Sequence, residues 1–249
     1  MTKIAILSDI HSPYQDDKSV ELACKLLQNY NPDRVYNLGD GVDFYQFSKF
    51  SMDPERVMEF QKDLDVAYIV NKTLVSSCSA EWVYIPGNHD ERWIKYLRKH
   101  PEIHGMRSLQ LDSILKLNQL GIRQGKEIEY ELDGRISLTH SRYCSLHSAY
   151  TAKANIEKAA QKQQSIFVGH SHRQGMFFVT GPRLMVAGVE VGCLCDPAME
   201  YTNGHPNWQQ GITFISTHAT TFAIELITFH GYRDEPRWTI WREEQYTVR

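Results

Sequence analysis

Ile4-Ala5-Ile6-Leu7-Ser8-Asp9-Ile10-His11 opens the chain with an apolar run that ends in a carboxylate and, two residues later, an imidazole. A run this short and this apolar predicts a strand covered on both faces. Helical spacing follows, with Asp16 and Asp17 as N-cap candidates and Val20, Ala23, Leu26, Leu27 and Tyr30 as the apolar face. The pattern repeats outward from there. A strand over 34–38 runs into Gly39-Asp40-Gly41-Val42-Asp43, and a strand over 82–85 runs into Gly87-Asn88-His89-Asp90. Between these two strands, Asp53-Pro54 marks a helix start, continued by Val57, Phe60, Leu64, Ala67 and Leu74. Two further helices are expected over 91–100 and 108–120.

Beyond residue 120 the rhythm changes. Segments 127–132 and 136–139 flank Asp133-Gly134, a strong turn pair, and predict a hairpin that leads to Thr139-His140. A helix over 150–161 precedes a buried strand at 166–168, which ends in Gly169-His170-Ser171-His172. Short strands then dominate, at 177–180, 184–187, 212–216, 222–228 and 238–241. Helices flanking a mixed sheet, followed by antiparallel strands, predict an α/β fold with two packed sheets. No linker, repeat or low-complexity tract divides the chain, so residues 1–249 are expected to form one domain.

Composition narrows the function. Hydrophobic residues make up 42% and charged residues 23%, the balance of a globular protein. A net charge of −3 argues against a chain whose main task is to coat nucleic acid, because that needs clustered Lys and Arg; a nucleic-acid substrate stays open. The first apolar run is too short for a signal peptide, and no stretch of about 20 apolar residues spans a bilayer. Five scattered cysteines, an odd number, make a poor disulfide framework and fit a reducing cytoplasm. Cys193 and Cys195 lack a second Cys/His pair, so they read as ordinary thiols rather than metal ligands.

The five polar clusters share one feature: each follows a predicted strand. In an open α/β sheet, ligands gather beyond the carboxyl ends of the strands, so the clusters are expected at one rim. Asp and Asn offer oxygen and neutral His offers nitrogen, the donors for a hard-to-borderline divalent cation. In extended backbone, i and i+2 point the same way, so Asp9/His11 and His170/His172 can each clamp one ion. Taken singly, a polar residue at a strand end is most often a turn former. His100, His104, His147, His205, His218 and His230, outside the clusters, are expected to be structural or superficial.

Taken in order, D-x-H, G-D-x-x-D, G-N-H-D, a lone H and G-H-x-H span Asp9 to His172 and resemble the calcineurin-like metallophosphoesterase family. The resemblance implies an αββα sandwich and two divalent ions, with manganese the first expectation and iron, nickel or zinc the alternatives. It assigns Asp9, His11, Asp40 and His172 to one ion and Asp40, Asn88, His140 and His170 to the other, with Asp40 shared. It makes His89 the catalytic histidine and Asp43 its orienting partner. Ser141 and Arg142 after His140 depart from the frequent H-G pair, so His140 is the weakest match. Two carboxylates, one hydroxide and four neutral imidazoles leave two dications near a net +1, which attracts phosphate. Paired ions about 3.5–4 Å apart can activate water for in-line attack, and His89 would then protonate the leaving alkoxide.

Substrate clues are sparser. Arg92 and Arg173 follow their motifs closely and are candidate phosphate ligands. The aromatic loop Phe44-Tyr45-Gln46-Phe47-Ser48-Lys49-Phe50 is expected to seat itself on the core, with a stacking platform for a base as the alternative. A polar loop containing His205 and Trp208 is placed to fold back over the site. Phe44-Tyr45 and Asp90 stand where the protein-phosphatase branch carries Arg-Gly and Glu, which disfavours that branch and points to small stand-alone bacterial or phage-type members. The reading is a phosphodiesterase for a nucleotide or small diester. Its alternatives are a nuclease resembling the SbcD group acting on DNA or RNA, a phosphomonoesterase, and a non-catalytic scaffold like the retromer subunit that resembles this family. No membrane partner is expected, and no feature of the sequence speaks to oligomeric state.

Overall fold

The computed structural model describes residues 1–49, 59–160, 163–181, 185–199, 202, 206–219 and 221–249. Strand β1 (Thr2–Leu7) pairs in parallel with β2 (Arg34–Asn37) and antiparallel with β10 (Gly211–His218). The parallel direction continues through β3 (Glu81–Tyr84) and β4 (Ile122–Gln124), and β11 (Thr221–Thr228) forms the opposite edge. The order of this first sheet is β11-β10-β1-β2-β3-β4.

The second sheet runs β5 (Ile128–Glu131), β6 (Ile136–His140), β7 (Ser165–Gly169), β9 (Met185–Val191), β8 (Gln174–Thr180). Its three middle strands are parallel and its edges antiparallel. Alternation along β1 explains how the layers stack. Ile4 and Ile6 point into a core shared with Leu138, Phe167 and Val189 of the second sheet. Ala5 and Leu7 point the other way, toward helices α1 (Asp17–Tyr30), α2 (Phe60–Val75) and α3 (Asp90–Lys99). Helix α4 (Tyr150–Ala160) covers the second sheet through Ile156 against Ile166 and Val168. Each such buried aliphatic contributes roughly 1.5–3 kcal/mol. The result is the expected α/β, two-sheet αββα sandwich.

Local signals account for most boundaries. Asp16 accepts the Ser19 N–H at 2.8 Å and so caps α1, while Asn31 ends it in the left-handed region. The predicted helix start at Asp53-Pro54, with Val57, lies outside the described residues, as do Phe50, the last residue of the helix expected to reach 161, residue 184 at the start of an expected strand, and His205.

The expected helix over 108–120 is instead a chain of single turns, Arg107–Leu109, Leu111–Ile114 and Asn118–Leu120. Extended Gln110 and left-handed Lys116 interrupt it. Two strands had no clear signal. Strand β4 is three residues long. Strand β13 (Glu244–Val248) pairs with β12 (Arg237–Trp241) across Arg242 and Glu243, both at positive φ, in a turn that usually advertises itself with Asn or Gly. Among the described residues no helix is long and apolar enough to cross a membrane.

Candidate metal centre

Every polar cluster lies at or just beyond the carboxyl end of a strand. Asp9 and His11 follow β1, Asp40 and Asp43 follow β2, and Asn88 and His89 follow β3. His140 is the last residue of β6, and His170 and His172 follow β7. The three strands β1, β2 and β3 are parallel neighbours, and so are β6 and β7 in the facing sheet, so the five loops meet at one rim.

The loops are held in unusual backbone. Asp9, His11, Asp40, His170 and His172 have φ of 53°, 53°, 51°, 83° and 55°. Such left-handed non-glycine residues are strained and collect at functional sites. Backbone hydrogen bonds hold them, with Asp9 N–H donating to Gly39 at 3.0 Å and His11 N–H to Asp40 at 2.8 Å. Gly87 has no room for a side chain, because a Cβ there would collide with the Asp40 carboxylate.

The seven predicted ligands converge. His11 Nε2 lies 3.1 Å from His172 Nε2, and Asp9 Oδ1 lies 3.3 Å from His172 Nε2 and 3.8 Å from His11 Nε2. Asp40 Oδ2 is 3.3 Å from His140 Nε2 and 3.8 Å from His11 Nε2, which puts its carboxylate between the two halves of the cluster. Among the described residues, Asp9/His11/His172 and Asp40/His140/His170 each bring their ligand atoms within 4.8 Å of one another.

Two details test whether cations fit. Asp9 Oδ1 is buried and accepts no hydrogen bond. His140 Nδ1 donates to the Leu38 carbonyl at 2.7 Å, which turns its Nε2 toward Asn88 Oδ1 at 2.9 Å. An orphaned carboxylate oxygen beside an imidazole nitrogen and an amide oxygen aimed at each other makes a pocket that positive charge satisfies, either a proton on His140 or a metal ion that replaces it. The donor set fits divalent metal.

Electrostatics point the same way. Burial alone would raise the Asp9 and Asp40 carboxyls, but the imidazoles around them hold both well below the usual carboxylate range. Burial alone would lower His11, yet the carboxylates of Asp43, Asp9 and Asp40 around it raise it to about 10. Burial likewise works against His140, which Asp40 nevertheless raises to about 9. His170, desolvated and close to His140, falls to about 4. Protons on His11 and His140 thus supply the positive charge the carboxylates demand, and a metal must displace them. At neutral pH metal uptake is expected to release close to two protons, so apparent affinity should rise by about 100-fold per pH unit up to about pH 9. Calorimetric titration in buffers of different ionisation enthalpy reads the release. An affinity flat between pH 6 and 8 would contradict this picture.

His89 and its neighbours form a second layer. Its N–H donates to Asp40 Oδ1 at 2.8 Å, and its Nδ1 donates to the Asp43 backbone carbonyl at 2.7 Å. The Asp43 carboxylate was the expected partner, but it lies 3.7 Å from His89 Nδ1 and 3.4 Å from His11 Nδ1. The left-handed turn at Phe44 brings the carbonyl toward α3. Arg92 spans this unit, donating to the Asp43 carbonyl at 3.0 Å and to His89 Nε2 at 3.0 Å.

Arg173, expected at the substrate, is buried, and its guanidinium holds the Ser145 carbonyl at 2.5 Å. That contact gives it a packing task. The aromatic loop is seated as expected, with Phe44 fully buried and Phe47 against Trp93. Trp208 folds back onto His172 with ring centroids 4.1 Å apart.

Supporting residues went unread in the sequence. Glu190 is fully buried, accepting the Ala152 N–H in α4 and the Ser171 hydroxyl between the two histidines. Asp90 accepts N–H bonds from Gly87 and Asp40 and the Tyr84 hydroxyl. Cys195 Sγ lies 3.6 Å from His172 Nδ1. A buried carboxylate inside an apolar strand, as at Glu190, was the one signal available.

Comparison with known proteins adds three findings. The family model described as calcineurin-like phosphoesterase matches residues 2–174. The Gene 54 proteins of Mycobacterium phages D29 and L5 are 24% and 23% identical, each over 96% of this chain and 98% of theirs. The crystal structure of Chaetomium thermophilum Vps29 superposes with a TM-score of 0.52 at 7% identity, covering 99% of this chain and 95% of that one, which is a likeness of fold.

Proposed function

The chain belongs to the calcineurin-like phosphoesterase family, and from that premise we propose that it hydrolyses a phosphodiester, a nucleotide or another small diester, at a centre of two divalent ions. The observation that carries this reading is the convergence of ligand atoms from Asp9, His11, Asp40 and His172 beside Asn88 and His140. Asp9, His11, Asp40 and His172 would hold one ion, and Asp40, Asn88, His140 and His170 the other. Manganese is the proposed metal, and iron, nickel and zinc suit the same donors. When bound, the ions supply positive charge that polarises a phosphoryl oxygen and acidifies an attacking water.

The remaining work falls to the chain's own groups. Arg92 offers its guanidinium to the phosphate, which competes with His89 Nε2 and the Asp43 carbonyl for the same N–H groups. His89 keeps its ring fixed through Nδ1, and once Arg92 turns to the phosphate its Nε2 is free to take up a proton from solvent and pass it to the leaving oxygen. Five free thiols suit a reducing cytoplasm.

Manganese-reconstituted protein is expected to hydrolyse bis(p-nitrophenyl) phosphate faster than p-nitrophenyl phosphate, and chelation should abolish both rates. Absence of turnover with manganese, iron, nickel and zinc alike would favour a scaffold and end this reading.

A further inference from the structure

A cleft of about 780 Å³ lies beside the metal centre, with Asn88 and Arg92 in its lining. Its volume falls in the range of small-molecule sites, about 300–1,000 Å³. Among the described residues, Lys49, Arg92, Lys95 and Lys99 line it and no carboxylate does. That contrasts with a chain whose net charge is −3.

Helix α3 creates the contrast. Arg92, Lys95, Tyr96 and Lys99 stand at i, i+3, i+4 and i+7 and so share one face. From Arg92 to Lys99 the helix rises about 10 Å. Lys95 shares Glu91 with Arg142, at 2.5 and 3.0 Å, whereas Lys49 and Lys99 have no acidic partner among the described residues. An apolar patch interrupts this lining, where the Phe47 ring lies 4.8 Å from that of Tyr96 on the same helix face and is braced on Trp93.

We infer that this cleft binds a further phosphate of the substrate, with the intervening sugar or base against the Phe47–Tyr96 patch. The preferred substrate then carries a second phosphate on the far side of the nucleoside from the scissile one. Two turns of helix suit one or a few phosphates rather than a long duplex. A nucleoside bisphosphate ester and the end of an oligonucleotide share this chemistry. The inference rests on the phosphodiesterase reading above and names its substrate class.

Three chromogenic substrates test it: the p-nitrophenyl ester of thymidine 5′-phosphate, the same ester carrying a 3′-phosphate, and a short oligothymidylate with the same 5′ ester. The 3′-phosphate is expected to raise kcat/KM by about tenfold or more through KM, and added salt should erode the gain. In the Lys49→Glu/Lys99→Glu variant the gain should fall below twofold, with the unfolding temperature unchanged because both side chains are exposed. Equal kcat/KM for the two monomeric esters in the native protein, or a gain that survives in the variant, would overturn the inference. A further rise on the oligothymidylate would identify a strand end as the source of the second phosphate, and no further rise a nucleotide. If no ester turns over, the phosphodiesterase reading has failed, and calorimetry decides the cleft alone. Thymidine 3′,5′-bisphosphate should then bind about tenfold tighter than thymidine 5′-monophosphate in the native protein only, and equal affinities would overturn it.

Discussion

Asp40→Ala is expected to remove metal binding at both positions and to lower phosphodiester hydrolysis by on the order of 10³-fold or more. The reason is position. Asp40 Oδ2 faces His140 on one side and His11 on the other, so one deletion strips a charge from both halves of the cluster. The change also leaves the His89 N–H without its acceptor, which costs about 1–3 kcal/mol of stability. Asp40→Asn separates the two effects, because its amide oxygen keeps that acceptor while the charge is lost. The fold of Asp40→Asn should melt near the native temperature and its activity should still collapse. Native activity in Asp40→Asn would show that the carboxylate charge is irrelevant.

His89→Ala is expected to keep its metal and lose turnover by about 10²–10⁴-fold, the usual contribution of a positioned acid or base. Metal retention follows because His89 holds Asp40 through backbone N–H, which the substitution spares. A proton donor to the leaving group has a signature that a packing residue lacks. p-Nitrophenolate leaves readily without a proton, so the defect should be smallest on p-nitrophenyl esters and grow with leaving groups of higher pKa. A defect of equal size across leaving groups, or metal loss in the variant, would remove His89 from that role.

Much of this molecule is legible from its residues. Short apolar runs that end in Asp, Asn or His announce both the strands and the rim where the clusters meet, because parallel strands carry their loops to one edge. The convergence of Asp9 with His172, 163 positions apart, follows from that topology alone. What escapes the sequence depends on tertiary geometry. The carbonyl of Asp43 rather than its carboxylate meets His89, since a single left-handed residue redirects the chain. Arg173 sits two residues from a turn hydroxyl and packs inward onto Ser145, although a charged residue beside a histidine motif invites a substrate role. Strand β4 is too short for periodicity to register, and the β12–β13 turn uses Arg242-Glu243, a pair with no local preference for positive φ. The basic face of α3 was spelled out in the helical spacing, but its meaning depended on the loop that places Lys49 across from it.

Electron paramagnetic resonance during manganese titration tests the paired centre most directly. Two equivalents should bind, and the six-line signal of the first ion should give way to a spin-coupled spectrum as the second arrives beside the shared carboxylate. Saturation at one equivalent, or two isolated six-line signals, would contradict a centre in which Asp40 joins both ions.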